Sequence, residues 1–189
     1  MIGGVVLAAG ASRRAGTVKA LATIEGEPLV VRAARVLREG GCDEVVVVVA
    51  APHGERVAAA LGPEVTRVEN PAPERGMLSS LRCALSDEWE AAVVSLVDHP
   101  RVLPGTVEDL IDAWRDGDAQ VVRPRFDARS GHPYLVARSL FEALRAGDDD
   151  AGARPVFAAA SRLDVDVRDP GIHDDLDTAT ELASLQGTG

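Results

Sequence analysis

The stretch Leu7-Ala8-Ala9-Gly10-Ala11-Ser12-Arg13-Arg14-Ala15-Gly16-Thr17-Val18-Lys19 begins inside a short apolar run, Gly4 to Ala8, that reads as a first β-strand. Its small residues let main-chain N–H groups close in on a ligand, and successive N–H groups of this kind form anion-binding concavities. Arg13, Arg14 and Lys19 add charge of the complementary sign, Arg as a bidentate fork for phosphate and Lys as a point charge. Lys19 is also the only lysine among the chain's 20 Lys and Arg residues. The composition is that of a phosphate site. A solvated loop with incidental charges is the alternative that composition alone leaves open. The spacing matches neither G-x-x-x-x-G-K-[ST] nor G-x-G-x-x-G, so neither inference applies.

Outward from this loop, 189 residues suffice for one domain with a substantial core. A formal net charge of −10 argues against a nucleic-acid surface, which needs a basic face, but leaves room for a small anion held by local cations. Cys42 and Cys83 form no C-x-x-C motif and are expected as free thiols in a reducing cytosol. No secretory signal is visible, and the longest apolar run, Val45 to Pro52, is too short to span a bilayer. The expected location is cytoplasmic, with no membrane partner.

Apolar, β-branched runs at Gly4–Ala8, Glu44–Ala50, Val65–Val68, Ala92–Val97, Gln120–Val122 and Leu163–Val167 predict strands. Several are continuously hydrophobic, as strands covered on both faces are. Helical spacing joins Val30, Ala33, Ala34 and Leu37 within Leu29–Glu39, closed by Gly40-Gly41. It recurs at Val57, Ala60 and Leu61, at Leu78, Leu81 and Leu85, at Val107, Leu110, Ile111 and Trp114 behind Pro104, and at Leu140, Phe141 and Leu144. This alternation means an α/β sandwich around a mostly parallel sheet. Right-handed crossovers then gather the glycine loop, the turn after Val97 and the loop around Gly76 at one carboxyl edge. Gly147 to Gly152 reads as an irregular acidic surface segment.

Asp98 follows the apolar run ending at Val97 and precedes His99-Pro100. A carboxylate there is placed to hold Mg²⁺ against a phosphate, although Asp ahead of Pro also suits a plain turn. Asp177, in Asp174-Asp175-Leu176-Asp177-Thr178, is a second metal candidate or a helix cap, with Asp174 and Asp175 weaker alternatives. Gly76-Met77-Leu78-Ser79-Ser80 puts a glycine and two serines at a helix start after Asn70-Pro71, where serine hydroxyls can bind a ribose, base or phosphate, although ordinary capping accounts for one serine without any ligand. His132, in Gly131-His132-Pro133, begins a segment to Val136 that reads as a pocket-lining strand; the histidine is a ligand contact or a structural residue. His53 and His173 read as loop residues. No nucleophile elbow and no Cys/His zinc cluster appears. A phosphate loop with two separated carboxylates fits metal-assisted phosphoryl or nucleotidyl transfer.

Taken together, these blocks resemble the MobA-like nucleotidyltransferases, and within them the molybdenum cofactor cytidylyltransferase branch. The likeness rests on Leu7 to Lys19, Asn70-Pro71, Gly76 to Leu81, Asp98-His99-Pro100, Gly131-His132-Pro133, Gly152-Ala153-Arg154 and Asp175-Leu176-Asp177-Thr178, in the family's order. It implies a single nucleotidyltransferase domain over residues 1–189. The implied fold is the three-layer, Rossmann-like nucleotide-diphosphosugar-transferase fold with a mostly parallel mixed sheet. Nucleotide contacts are implied for Leu7, Ala8, Ala9, Gly10, Ser12, Arg13, Arg14, Lys19, Asn70, Gly76, Ser79 and Ser80. Arg14 and Lys19 would hold the triphosphate, Asp98 and Asp177 the Mg²⁺ (or Mn²⁺), and His99 and His132 would face the acceptor.

The implied reaction is attack by the terminal phosphate of a phosphorylated pterin, molybdopterin, on the α-phosphate of CTP, with loss of pyrophosphate. Ala9 favours CTP, since the guanylyl branch usually has glycine there. Ala15 in place of methionine, His99 in place of glutamine, and Thr17-Val18 without the usual proline depart from the branch. The alternatives are a GTP-using relative, an NAD(P)H-dependent reductase like the proteins named for nicotine blue reduction, and a non-catalytic maturation factor with a molybdoenzyme apoprotein as partner.

Overall fold

The computed structural model describes residues 1–10 and 18–176. Ser12, Arg13, Arg14 and Asp177 therefore lie outside the described residues. The chain starts in β1 (Ile2–Leu7) and re-enters description at Val18, turning through a 3₁₀ segment at Lys19–Leu21. A small hairpin follows, β2 (Thr23–Ile24) and β3 (Glu27–Pro28), feeding α1 (Leu29–Glu39). Then come β4 (Glu44–Val49), α2 (Gly54–Ala59), β5 (Thr66–Glu69), α3 (Met77–Ala84), β6 (Ala91–Leu96) and α4 (Pro104–Arg115). The remainder is β7 (Val121–Phe126), β8 (Arg129–Ser130), β9 (Tyr134–Ala137), α5 (Phe141–Ala146), α6 (Arg154–Ala159) and β10 (Arg162–Asp166).

The main sheet runs β10-β7-β9-β6-β1-β4-β5, with β8 hairpinned onto β7. β1 is parallel to β4 and β6, β4 to β5, and β7 to β10, while β9 runs antiparallel between β6 and β7 and β8 pairs antiparallel with β7. The continuous valine runs follow from burial on both faces. Ile2 and Val6 of β1, with Val45, Val47 and Val49 of β4, enter the core beneath α1 and α4. Val5, Leu7, Val46 and Val48 enter the opposite core beneath α3 and α5. α1 occupies the span its periodicity predicts and closes at Gly40, whose amide donates to Val36 O at 3.0 Å. A Cβ on Gly40 would meet Val107 Cβ at 2.4 Å, so this glycine is what lets α1 ride against α4.

Two expectations are corrected. The strand expected at Gln120–Val122 runs on to Phe126, because Arg123 and Arg125 pair with Asp164 and Asp166 on β10 instead of turning into a loop. The strand expected from Gly131 starts only at Tyr134, since Gly131 and His132 are tied to Pro124 O and Ile172 O. The acidic segment 147–152 is irregular, as expected, but it is tied down: Asp149 receives Arg82 at 2.5 Å and also pairs with Arg75, while Arg82 Nε donates to Leu144 O. Among the described residues no helix is long and apolar enough to cross a membrane.

Candidate active site

The carboxyl ends of β1, β4 and β6 open into a cavity of about 610 Å³. Leu7, Ala8, Ala9 and Gly10 form its floor where β1 ends, Lys19 and Asp98 stand on one side, and Gly76, Met77 and Ser80 close the other. Parallel strands place these loops together, as the chain order requires. A second cavity of about 650 Å³ adjoins it, sharing Leu7, Met77 and Leu96, and contains His132.

Lys19 Nζ lies 3.4 Å from Asp98 Oδ2, both side chains largely shielded from solvent (13% and 23% exposed). The lysine is set by its 3₁₀ turn, in which Leu21 N donates to Val18 O and Ala22 N to Lys19 O, with Ala20 buried as the anchor. Asp98 is set by the end of β6 and by its own carbonyl, which accepts the Leu176 amide at 3.0 Å. That bond brings the C-terminal acidic segment to the site, and Asp175 lines the first cavity. Asp98 Oδ1 is buried with no hydrogen-bond partner among the described residues. A carboxylate with one oxygen on a lysine and the other unsatisfied suits a divalent cation that also takes phosphate oxygens. Among the described residues no set of three or more His, Cys, Asp or Glu groups forms a closed metal cage.

Ser80 lines the cavity, whereas Asn70 and Ser79 stand behind its wall. Asn70 Nδ2 donates to Ser79 Oγ and Ser80 Oγ, each at 2.9 Å, and its Oδ1 accepts from Ala72 N. Ser79 Oγ donates to Gly76 O at 2.8 Å. Their polar groups hold the Gly76 loop in place. Gly76 sits at φ +93°, a conformation L side chains rarely adopt, so a glycine is required for the chain to enter α3 at this angle.

His99 Nε2 is 3.9 Å from Asp98 Oδ1, and its ring lies 5.0 Å from that of His132. Burial lowers the His99 pKa, with the Asp98 and Asp175 carboxylates opposing the shift. Burial, reinforced by His99, lowers His132 to about 4. His132 is therefore neutral in the native state and protonated near pH 6.5 once unfolded. Its contribution to stability is complete above about pH 6.5 and is lost as the pH falls toward 4, by up to about 3 kcal/mol from linkage. Urea unfolding across pH 4–8 should show this acid-side slope in the wild type and a flatter one in His132→Gln.

Sequence reasoning missed His53 in the first cavity and Arg123, Tyr134 and Phe157 in the second. Strand alternation was the available signal for Tyr134, two positions from the apolar Val136.

A three-layer α/β sandwich with its site on the carboxyl edge of a mostly parallel sheet, β9 reversed, is the Rossmann-like nucleotide-diphosphosugar-transferase fold. Residues 4–165 match the model of the MobA-like NTP transferase domain, and the chain belongs to that family. It is 34% identical over 195 residues to the nicotine blue oxidoreductase of Paenarthrobacter nicotinovorans, covering 96% of this chain and 95% of that protein. It is 35% identical over 122 residues to a probable molybdenum cofactor guanylyltransferase of Opitutus terrae, covering 65% of this chain and 60% of that protein. The crystal structure of Rv0371c from Mycobacterium tuberculosis H37Rv superposes with a TM-score of 0.79 at 29% identity, over 97% of this chain and 96% of that one. A further structure of Rv0371c, in complex with manganese, has a TM-score of 0.76 at 24% identity, over 100% and 99% of the two chains.

Proposed function

We propose that the protein is a divalent-metal-dependent nucleotidyltransferase that moves CMP from CTP to the terminal phosphate of molybdopterin and releases pyrophosphate. The observation that carries this reading is the Lys19–Asp98 pair, 3.4 Å apart at the mouth of the β1 glycine loop, with a second cavity alongside. Such a site needs no protein nucleophile. The first cavity would take the nucleotide, with the small residues Ala8 to Gly10 admitting the phosphates and Lys19 meeting their charge. Arg14, outside the described residues, is assigned the same duty. Asp98, with Asp177 as second carboxylate, would hold Mg²⁺ or Mn²⁺; this cation supplies neutralisation of the triphosphate and of the charge that develops on the leaving group. Rate then comes from alignment of the acceptor phosphate with the α-phosphate and from fixed positive charge. The Ala9 methyl on the cavity floor takes space that glycine would leave, which supports the smaller pyrimidine.

The nicotine blue oxidoreductase relative, matched over nearly the whole chain, favours an NAD(P)H-dependent reductase as the second reading. A thermal-shift panel with CTP, GTP, ATP, UTP and NADPH, each with and without Mg²⁺ or Mn²⁺, separates the two. A ligand at about a hundred times its Kd stabilises the native state by about 2.7 kcal/mol. CTP is expected to raise the Tm only with the metal. Preference for GTP would retain the chemistry and change the donor, and a shift with NADPH alone would replace the transferase by the reductase.

A further inference from the structure

The second cavity carries two donors that the account above does not use. Val121 of β7 and Val136 of β9 pair in register. Two residues along each strand, on the same face of the sheet, come Arg123 and Tyr134. Both line the cavity. The Tyr134 ring is held between His132, 5.5 Å away, and Phe157 of α6, which meets it edge-on at 5.1 Å and 74°. His132 in turn lies against His99, so a file of rings leads from Asp98 into this cavity. Tyr134 is partly buried and lines the cavity, and its hydroxyl has no hydrogen-bond partner among the described residues, so it is available to a ligand there. Burial also pushes its pKa up, which keeps it a donor at neutral pH.

Arg123 is oriented as firmly. Its Nε and Nη2 donate to the two carboxylate oxygens of Asp164 at 2.9 and 3.1 Å. That pair cancels most of the charge and leaves Nη1 outside it, so Arg123 serves as a fixed N–H donor more than as a free cation. Leu78 and Leu81 of α3 supply apolar walls. Apolar walls with two immobilised donors on one side fit a flat ring whose edge is rich in hydrogen-bond acceptors.

We infer that Tyr134 is a specificity-determining residue of the acceptor cavity: its hydroxyl, with Arg123 beside it, selects a planar heterocycle that presents carbonyl, ring-nitrogen or carboxylate acceptors to β7 and β9. The inference rests on the reading of the second cavity as the acceptor site. The probe is pterin-6-carboxylate, flat, acceptor-rich and fluorescent, titrated by quenching into the intact protein. Tyr134→Phe keeps the ring packing and removes only the donor. Its Kd for the probe should rise about tenfold, the effect of losing one buried hydrogen bond to a ligand. The melting shift given by CTP with Mn²⁺ should be unchanged, and Arg123→Gln should weaken the probe in the same way. Binding by Tyr134→Phe within twofold of wild type overturns the inference. So does a wild-type protein that responds to CTP with Mn²⁺ but leaves the pterin unquenched, while the transferase reading survives. Failure of both ligands removes that reading as well.

Discussion

Asp98→Asn is expected to lower nucleotidyl transfer on the order of 10³-fold, measured as pyrophosphate release in single-turnover reactions with saturating Mn²⁺. The substitution preserves shape. The backbone carbonyl still accepts the Leu176 amide, and an amide oxygen still stands near Lys19. What it removes is the negative charge at Oδ1, the buried oxygen without a hydrogen-bond partner among the described residues. Metal-centred charge stabilisation of phosphoryl chemistry is worth several kcal/mol. At about 1.4 kcal/mol per decade, the loss of about 4 kcal/mol gives the stated factor. The Tm should remain close to wild type, which separates lost chemistry from lost fold. Wild-type-like turnover in Asp98→Asn would falsify the assignment of this carboxylate to the metal. An NAD(P)H-dependent activity insensitive to the same change would point to the reductase.

The parts of this architecture that were legible in the sequence are those with local causes. β1, β4 and β6 are unbroken apolar runs because helices cover both faces of the sheet, and α1 shows its boundaries through its own period and its closing glycines. Asp98 could be placed because a buried strand ends immediately before it. The parts that escaped depend on residues far apart in the chain. The strand read at Gln120–Val122 stops short of Arg123-Pro124-Arg125, which joins it through Asp164 and Asp166, 41 residues later. Asp149 reads as solvated until Arg82, 67 residues earlier, is seen to reach it. α6 has no buried residue and so leaves no apolar period to detect. Asn70 and Ser79 carry the right chemistry for a ligand, and only the hydrogen bonds between them reveal that they brace the wall.

Lys19→Ala is expected to reduce kcat/KM for the nucleoside triphosphate by about 10²- to 10³-fold, the range for removing one fixed charge-stabilising group from a transition state. Both parameters should suffer, KM through ground-state phosphate binding and kcat because charge accumulates on the departing pyrophosphate. Lys19→Arg should recover little: at 13% exposure, beside Asp98, the site is shaped for a compact ammonium, and a planar fork would meet the carboxylate in a different geometry. The chain offers a test free of turnover, since Lys19 is its only lysine and the Met1 amine its only other primary amine. Acylation of Lys19, followed by mass spectrometry, should be slowed by CTP with Mn²⁺ well beyond the protection already given by Asp98, with Met1 unaffected as the internal control. Equal labelling of Lys19 with and without bound nucleotide, or a KM in Lys19→Ala within twofold of wild type, would remove the lysine from the phosphate site. The charge on the glycine loop would then have to come from Arg13 and Arg14.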